Sequence, residues 1–213
     1  MARKPQQKRA KVTVEAIIEA GFICVSERGM EGTTTRHIAD IAGISVGSLY
    51  EYFENKESVY RAMSQYFTDE VLSMLRDLMP QIVQISLEEA IHLLFYRFTE
   101  LLQKDDQRYL KCIRYAGNFD YDRYADQVES ALMELVMRYV MHNQKYLMLP
   151  NIPTLSYICI NGGIFMVVRH LILPNPNISF DDMVKGVTKM ILSYVNAELA
   201  SAKAAKLEQE KAT

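Results

Sequence analysis

From Val14 to Val195 the apolar residues recur at intervals of three and four, and the interruptions are few. Val14, Ile17, Ile18, Gly21 and Val25 open the series, and Leu87, Ile91, Leu94, Phe95, Phe98 and Leu102 repeat it further on. That spacing puts one apolar face on an α-helix, whereas a half-buried strand needs strict alternation. Nine glycines and six prolines in 213 residues leave little turn chemistry for many short strands. We therefore expect an all-α chain of about nine helices.

The breaks fall at chemically legible places. Gly29 and Gly32 end the first helix, and Thr33, Thr34 and Thr35 offer hydroxyls to cap the next. Ile38, Ala39, Ile41 and Ala42 give a short second helix its apolar face. Gly43 suits a turn with positive φ, and Ser45 can cap a short third helix that buries Leu49 and Phe53. Asn55 can cap the fourth, which runs to Pro80. Ser86–Glu89 and Ser179–Asp182 have capping-box spacing and open later helices. We expect further helices over 107–116, from 122 into the Tyr146 region, over 154–173 and from 179 onward.

Two short helices joined at Gly43 and preceded by a longer one make a helix-turn-helix, whose second short helix enters a DNA major groove. Its outer face carries Ser45, Val46, Gly47, Ser48, Tyr50 and Tyr52. Small residues permit close approach to bases, hydroxyls reach phosphates or base edges, and Val46 can meet a thymine methyl. Lys56, opening the fourth helix, is placed for a phosphate. A three-helix packing unit that never meets DNA would show the same periodicity, and Glu51 and Glu54 would repel phosphates. The net charge of −2 gives no general pull on nucleic acid. Arg3, Lys4, Lys8, Arg9 and Lys11 nevertheless form a basic N-terminal arm, either phosphate-binding or simply frayed in solvent.

The stretch from Gly32 to Glu57 resembles the DNA-binding domain of the TetR family of bacterial transcriptional regulators. The resemblance rests on the threonine cap, Ile38-Ala39-x-x-Ala42-Gly43-Ile44-Ser45, Gly47-Ser48-Leu49-Tyr50-x-Tyr52-Phe53, and Lys56-Glu57. It implies that Thr34 and Thr35 lie near phosphates and that Ser45, Val46, Gly47 and Ser48 enter the groove. It also implies that Tyr50 and Tyr52 touch phosphate or a thymine methyl, that Lys56 meets a phosphate, and that Arg36 and His37 lie within reach of DNA. The resemblance covers the first quarter of the chain. It implies a cytoplasmic homodimer, two reading heads on a palindromic double-stranded operator, and a helical effector-binding domain. The expected division is residues 1–56 for the basic arm and reading head, 57–200 for effector binding and dimerisation, and 201–213 as a frayed tail. The most direct function is repression relieved by a small effector. An activator, or a ligand-binding or protein-interaction dimer without DNA binding, is the alternative.

The chain as a whole has thirteen tyrosines and twelve methionines, most of them beyond the head. Phe95, Phe98, Tyr109, Cys112, Tyr115, Phe119, Tyr124, Met133, Met137, Phe165 and Met166 are expected to line an adaptable cavity for a hydrophobic or amphipathic effector. Asn161 and Arg114 are candidate polar anchors. At any one of these positions ordinary core packing is the simpler role. The last two long helices are expected to pair with a second copy as a four-helix bundle. Gly162 and Gly163 would serve there for close helix approach, or else make room for a ligand.

Other classes fit poorly. Cys24, Cys112 and Cys159 are odd in number and widely spaced, the pattern of reduced buried thiols. Residues 146–168 carry no formal charge, but Pro150, Asn151, Pro153 and Asn161 suit a buried or interface helix better than a membrane span. The four histidines are isolated, no Gly-rich phosphate loop occurs, and Asp120, Asp122 and Asp126 lack the glycine and terminal glutamate of a calcium loop. No enzyme, cofactor or metal site is expected.

Overall fold

A computed structural model describes residues 4–115 and 121–211. Among them are eight α-helices, one 3-10 turn and no strand: α1 (Lys4–Gly32), α2 (Thr35–Ala42), α3 (Val46–Tyr50), α4 (Lys56–Ile82), α5 (Leu87–Tyr115), α6 (Tyr121–His142), the 3-10 turn Gln144–Met148, α7 (Ile152–Ile172) and α8 (Phe180–Lys211). The all-α expectation holds.

Several boundaries differ from those that the sequence suggests. α1 begins at Lys4, so the basic arm is helical from that residue. The two helices expected over 87–102 and 107–116 are both present as the two segments of α5, joined across a kink at Lys104–Gln107. Asp105, Asp106 and Gln107 there have φ of 48°, 55° and 60°. Pro80 lies inside the last turn of α4, where its missing N–H withdraws only one helical hydrogen bond. The tail expected to fray from 201 is helical to Lys211, because Ala, Lys, Glu and Gln are strong helix formers.

The caps explain where the helices start. Asn55 Oδ1 accepts from Ser58 N at 2.8 Å. At Ser86 the box is reciprocal: Glu89 N donates to Ser86 Oγ at 3.2 Å, and Ser86 N donates to Glu89 Oε2 at 2.9 Å. Ser179 Oγ accepts from Asp182 N at 3.1 Å. The Ser86 and Ser179 hydrogen bonds hold the Glu89 and Asp182 carboxyls below their ordinary values.

By packing, the chain divides into two compact units. One takes the described residues up to Glu70 with those from Leu102 to Tyr124, and the other takes Val71–Leu101 with the described residues from Ala125 onward. α4 and α5 therefore each contribute to both.

In the first unit, α1 packs on α2 and α2 on α3. Ile17, Cys24, Ile38, Ala39, Leu49 and Val59 are fully buried there. Gly21 lets α1 lie against α4; a Cβ there would sit 2.6 Å from Met63 Sδ. Tyr109 enters this core, edge-on to Phe22 at 5.3 Å and tilted against Phe67 at 4.8 Å. Arg108 beside it is buried, pairs with Glu19 and with Asp105, and lies 4.9 Å from the Tyr109 ring. In the second unit, Val71, Leu75, Leu135, Tyr139, Val167, Val184 and Val195 are buried.

Candidate functional site

The candidate reading head is assembled by local hydrogen bonds. Thr34 caps α2, its Oγ1 accepting from His37 N at 3.2 Å. Gly43 takes φ +69° and ends α2, its N–H turned back to Ala39 and Asp40 carbonyls. Only a residue without Cβ adopts that angle freely. Ser45 caps α3 by accepting from Ser48 N at 3.0 Å, and the two hydroxyls are 3.0 Å apart. Leu49 turns inward and is fully buried, with Phe53 close behind.

The opposite face of α3 is open. Ser45, Gly47, Tyr50 and Tyr52 are exposed, and Val46 and Ser48 are half-buried. Tyr50 Oη lies 3.2 Å from Thr35 Oγ1, so the start of α2 and the end of α3 share one surface. Thr34 and Arg36 are exposed beside them. Thus Thr35 and Tyr50 join the start of α2 to the end of α3, Thr34, Arg36, Ser45, Gly47 and Tyr52 are exposed, and Val46 and Ser48 are partly so. Lys56 is engaged differently: its Nζ donates to the carbonyls of Met30 at 3.3 Å and Thr33 at 3.4 Å. It closes the end of α1, a structural duty that its place in sequence does not reveal.

The second unit holds a partly open apolar cavity of about 220 Å³, far above the roughly 10–15 Å³ that admits one water. α4 contributes Val71, Met74 and Leu75, and α5 contributes Ile91, Leu94, Phe95 and Phe98. α6 adds Leu132, Val136 and Tyr139, while α7 adds Ser156, Cys159, Ile160 and Gly163. Among the described residues no formally charged side chain lines it. Its few polar groups are Tyr139, Tyr146, Ser156 and Cys159. Tyr139 Oη donates to the Ile85 carbonyl at 3.2 Å, and its ring lies 5.6 Å from that of Tyr146. Burial, then the neighbouring Tyr146, pushes the Tyr139 phenol well above its ordinary value, and burial raises the Cys159 thiol. Both remain neutral at pH 7. Gly163 sits in the wall with space for only a methyl, since a Cβ there would be 3.4 Å from Phe95 Cζ.

Of the aromatic and sulfur residues expected around an effector, Phe95 and Phe98 line this cavity. The others that are described lie elsewhere. Tyr109 and Cys112 pack within the first unit, the Cys112 thiol 3.8 Å from the Phe22 carbonyl. Tyr115 lies against Gly29, 3.3 Å from where a Cβ would be. Phe119 and the Tyr124 side chain fall outside the described residues. Met133 is half-buried away from the wall, and Met137 borders a shallow surface groove. Asn161 is exposed and donates to Glu129 at 3.1 Å and to the Tyr157 carbonyl at 3.0 Å. Phe165 points outward at 67% exposure, and Met166 is half-buried outside the lining. Arg114 is exposed in the first unit. Sequence reasoning misses the aliphatic lining because Val, Leu and Ile at helical spacing look like any core. Phe95, Phe98 and Gly163 are the legible signals.

α7 is long and apolar enough to cross a membrane by length and composition, with mean hydropathy 1.5 over its most apolar window. Its inner face supplies the cavity wall, whereas Tyr157, Ile158 and Phe165 are left exposed on the outer face. On α8, Val184, Val187 and Val195 are buried within their own subunit, while Met190 and Tyr194 are exposed. The stripe expected as a dimer surface thus faces inward at its centre, and the open apolar positions lie beside it.

A family model of the "Bacterial regulatory proteins, tetR family" matches residues 17–63, the span from α1 into α4. The transcriptional repressor KstR2 of Rhodococcus jostii is 43% identical over 62 residues, covering 29% of this chain and 30% of that protein. The regulator PksA of Bacillus subtilis is 34% identical over 91 residues, covering 39% and 44%. The chain thus spans less than half the length of these curated relatives. Solved structures match over much more of the chain. A TetR-family regulator from Mesorhizobium loti has a TM-score of 0.64 at 16% identity, covering 91% of this chain and 98% of that one. FadR from Bacillus subtilis, solved in complex with stearoyl-CoA, has a TM-score of 0.62 at 15% identity, covering 85% and 96%. At such identities the structures speak for the fold alone. Residues 17–63 thus match the tetR family of bacterial regulatory proteins in sequence, and the chain shares its fold nearly end to end with solved TetR-family structures.

Proposed function

We propose that this chain is a ligand-responsive transcriptional repressor that binds a palindromic operator as a homodimer. The observation that carries the reading is α3: it is capped at Ser45, anchored by a buried Leu49 and open along Gly47, Tyr50 and Tyr52. Two such helices, one per subunit, would enter successive major grooves. Residues 1–56 serve as the reading head, and 57–200 serve effector binding and dimerisation.

The apolar cavity takes the effector. A wall without charge favours a hydrophobic molecule or the hydrocarbon part of an amphipathic one, because an ion buried there would lose its hydration uncompensated. The solved FadR of this fold was captured with stearoyl-CoA, a ligand with such a part. The open apolar residues Phe165 on α7 and Met190 on α8 support dimerisation through the last two helices. Effector binding would tilt α4, which belongs to both packing units, and spoil the spacing of the two heads. By linkage, operator DNA must weaken effector binding by the same factor.

The test is binding of the purified protein to a palindromic duplex from upstream of its own gene, titrated against salt. Tight binding whose logarithm falls linearly with that of salt supports the reading. Binding no tighter than to a scrambled duplex would refute it.

A further inference from the structure

Ser156 stands in the cavity wall, in the second turn of α7, and is 5% exposed. A hydroxyl on a helix can bond back to the carbonyl four residues earlier, as Thr13 does to Arg9 at 3.0 Å. Among the described residues no such bond, nor any other, engages the Ser156 hydroxyl. A buried hydroxyl without a partner is costly, so this one calls for a partner from outside the chain. Water is a poor candidate in so apolar a wall, since it needs about two to four polar neighbours.

The other polar groups of the wall are already engaged or weak. Tyr139 gives its proton to the Ile85 carbonyl at 3.2 Å, and the Tyr146 hydroxyl is turned to Tyr139. Cys159 offers only a thiol, a weak donor. These groups come from the end of α6, the 3-10 turn and the start of α7, whereas α4, α5 and α8 contribute only apolar side chains to the wall. The two tyrosines are 6% exposed, so the polar corner is as dry as Ser156 itself. Two charges stand near it, Lys145 at 4.7 Å from the Tyr146 ring and Glu89 of the Ser86 box; both are exposed, and their signs oppose.

Size sets a second limit. Scaled from the roughly 150 Å³ cavity that accepts the six carbons of benzene, a cavity of about 220 Å³ holds about nine non-hydrogen atoms. A carboxylate beside Ser156 would be buried with no cation in the wall to pair with it. We propose that the cavity takes an uncharged ligand, a compact hydrocarbon ending in one hydroxyl or carbonyl oxygen, and that Ser156 Oγ is the group that selects this oxygen. The inference rests on the cavity being the effector site, and it names the class of effector.

Calorimetry on the full chain with 1-octanol, octanoate, octanoyl-CoA and toluene tests it, at about pH 7, where octanoate is ionised. 1-Octanol has nine non-hydrogen atoms, and toluene is a hydrocarbon that fits the same space without an oxygen. Wild-type protein should bind octanoate at least about a hundredfold more weakly than 1-octanol. Ser156→Ala, a good helix former with circular dichroism to confirm the fold, should weaken 1-octanol about tenfold and leave toluene within about twofold. Octanoate or octanoyl-CoA binding as tightly as 1-octanol overturns the uncharged class. An unchanged 1-octanol affinity in Ser156→Ala, or an equal loss for 1-octanol and toluene, overturns the role of Ser156. A wild-type chain that binds neither toluene nor 1-octanol refutes instead the cavity as effector site, so the two failures are distinguishable.

Discussion

Leu49 and Tyr50 are neighbours on α3 with opposite surroundings, 0% and 51% exposed. Truncating each to alanine should separate folding of the head from reading of DNA. Leu49→Ala removes a fully buried side chain from a small core, at a cost of about 2–5 kcal/mol. That is a large share of the roughly 5–15 kcal/mol that holds a domain folded. Tyr50→Ala removes a half-exposed ring whose hydrogen bond to Thr35 is open to water, so its cost in stability should stay below about 1 kcal/mol. On DNA the order reverses. One lost contact is worth about 1–3 kcal/mol, and a symmetric dimer loses it twice, so affinity should fall by at least roughly thirtyfold. Urea denaturation followed by circular dichroism gives the first quantity, and fluorescence anisotropy on the palindromic duplex gives the second. Should Tyr50→Ala lower the urea midpoint as much as Leu49→Ala, or leave DNA affinity within twofold of wild type, the assignment of the α3 face is wrong.

Gly43→Ala should cost about 1 kcal/mol from backbone strain alone, since no atom lies within 4 Å of the added Cβ; a urea midpoint unchanged from wild type would contradict this. Met190→Glu, at a residue 72% exposed, should give a folded monomer by sedimentation, whereas Val187→Glu, at 9% exposure, should unfold the chain. A folded, dimeric Met190→Glu would remove α8 from the interface. Burial pushes the Cys112 thiol up to about 12, with Arg108 opposing. A raised thiol favours the fold below its ordinary value near 9, and that contribution is lost as pH climbs from there toward 12. In native protein at pH 8 Cys112 should therefore resist a disulfide reagent, with mass spectrometry locating any label; rapid labelling would place the thiol outside the core.

How much of the protein is legible in its sequence depends on the range of the forces involved. The caps at Thr34, Ser45 and Asn55, the turn at Gly43 and the burial of Leu49 follow from neighbours within four residues, so the chain determines them locally. The reading head can therefore be followed residue by residue in the amino-acid sequence. Tertiary packing decided what each apolar face meets. α7 is apolar all round, so its sequence has no phase to show that Gly163 turns to the cavity and Phe165 to the outside. Tyr109 and Phe98 share one stripe of α5, yet one joins the core of the first unit and the other walls the cavity. Lys56 had an α1 terminus to close rather than an open position beside the groove. The break in α5 falls between the helices that the sequence suggests, although Lys-Asp-Asp-Gln has neither glycine nor proline, and the left-handed backbone that makes it is visible only in the structure. Periodicity says that a face is apolar; only the assembled helices say whether it meets core, cavity or solvent.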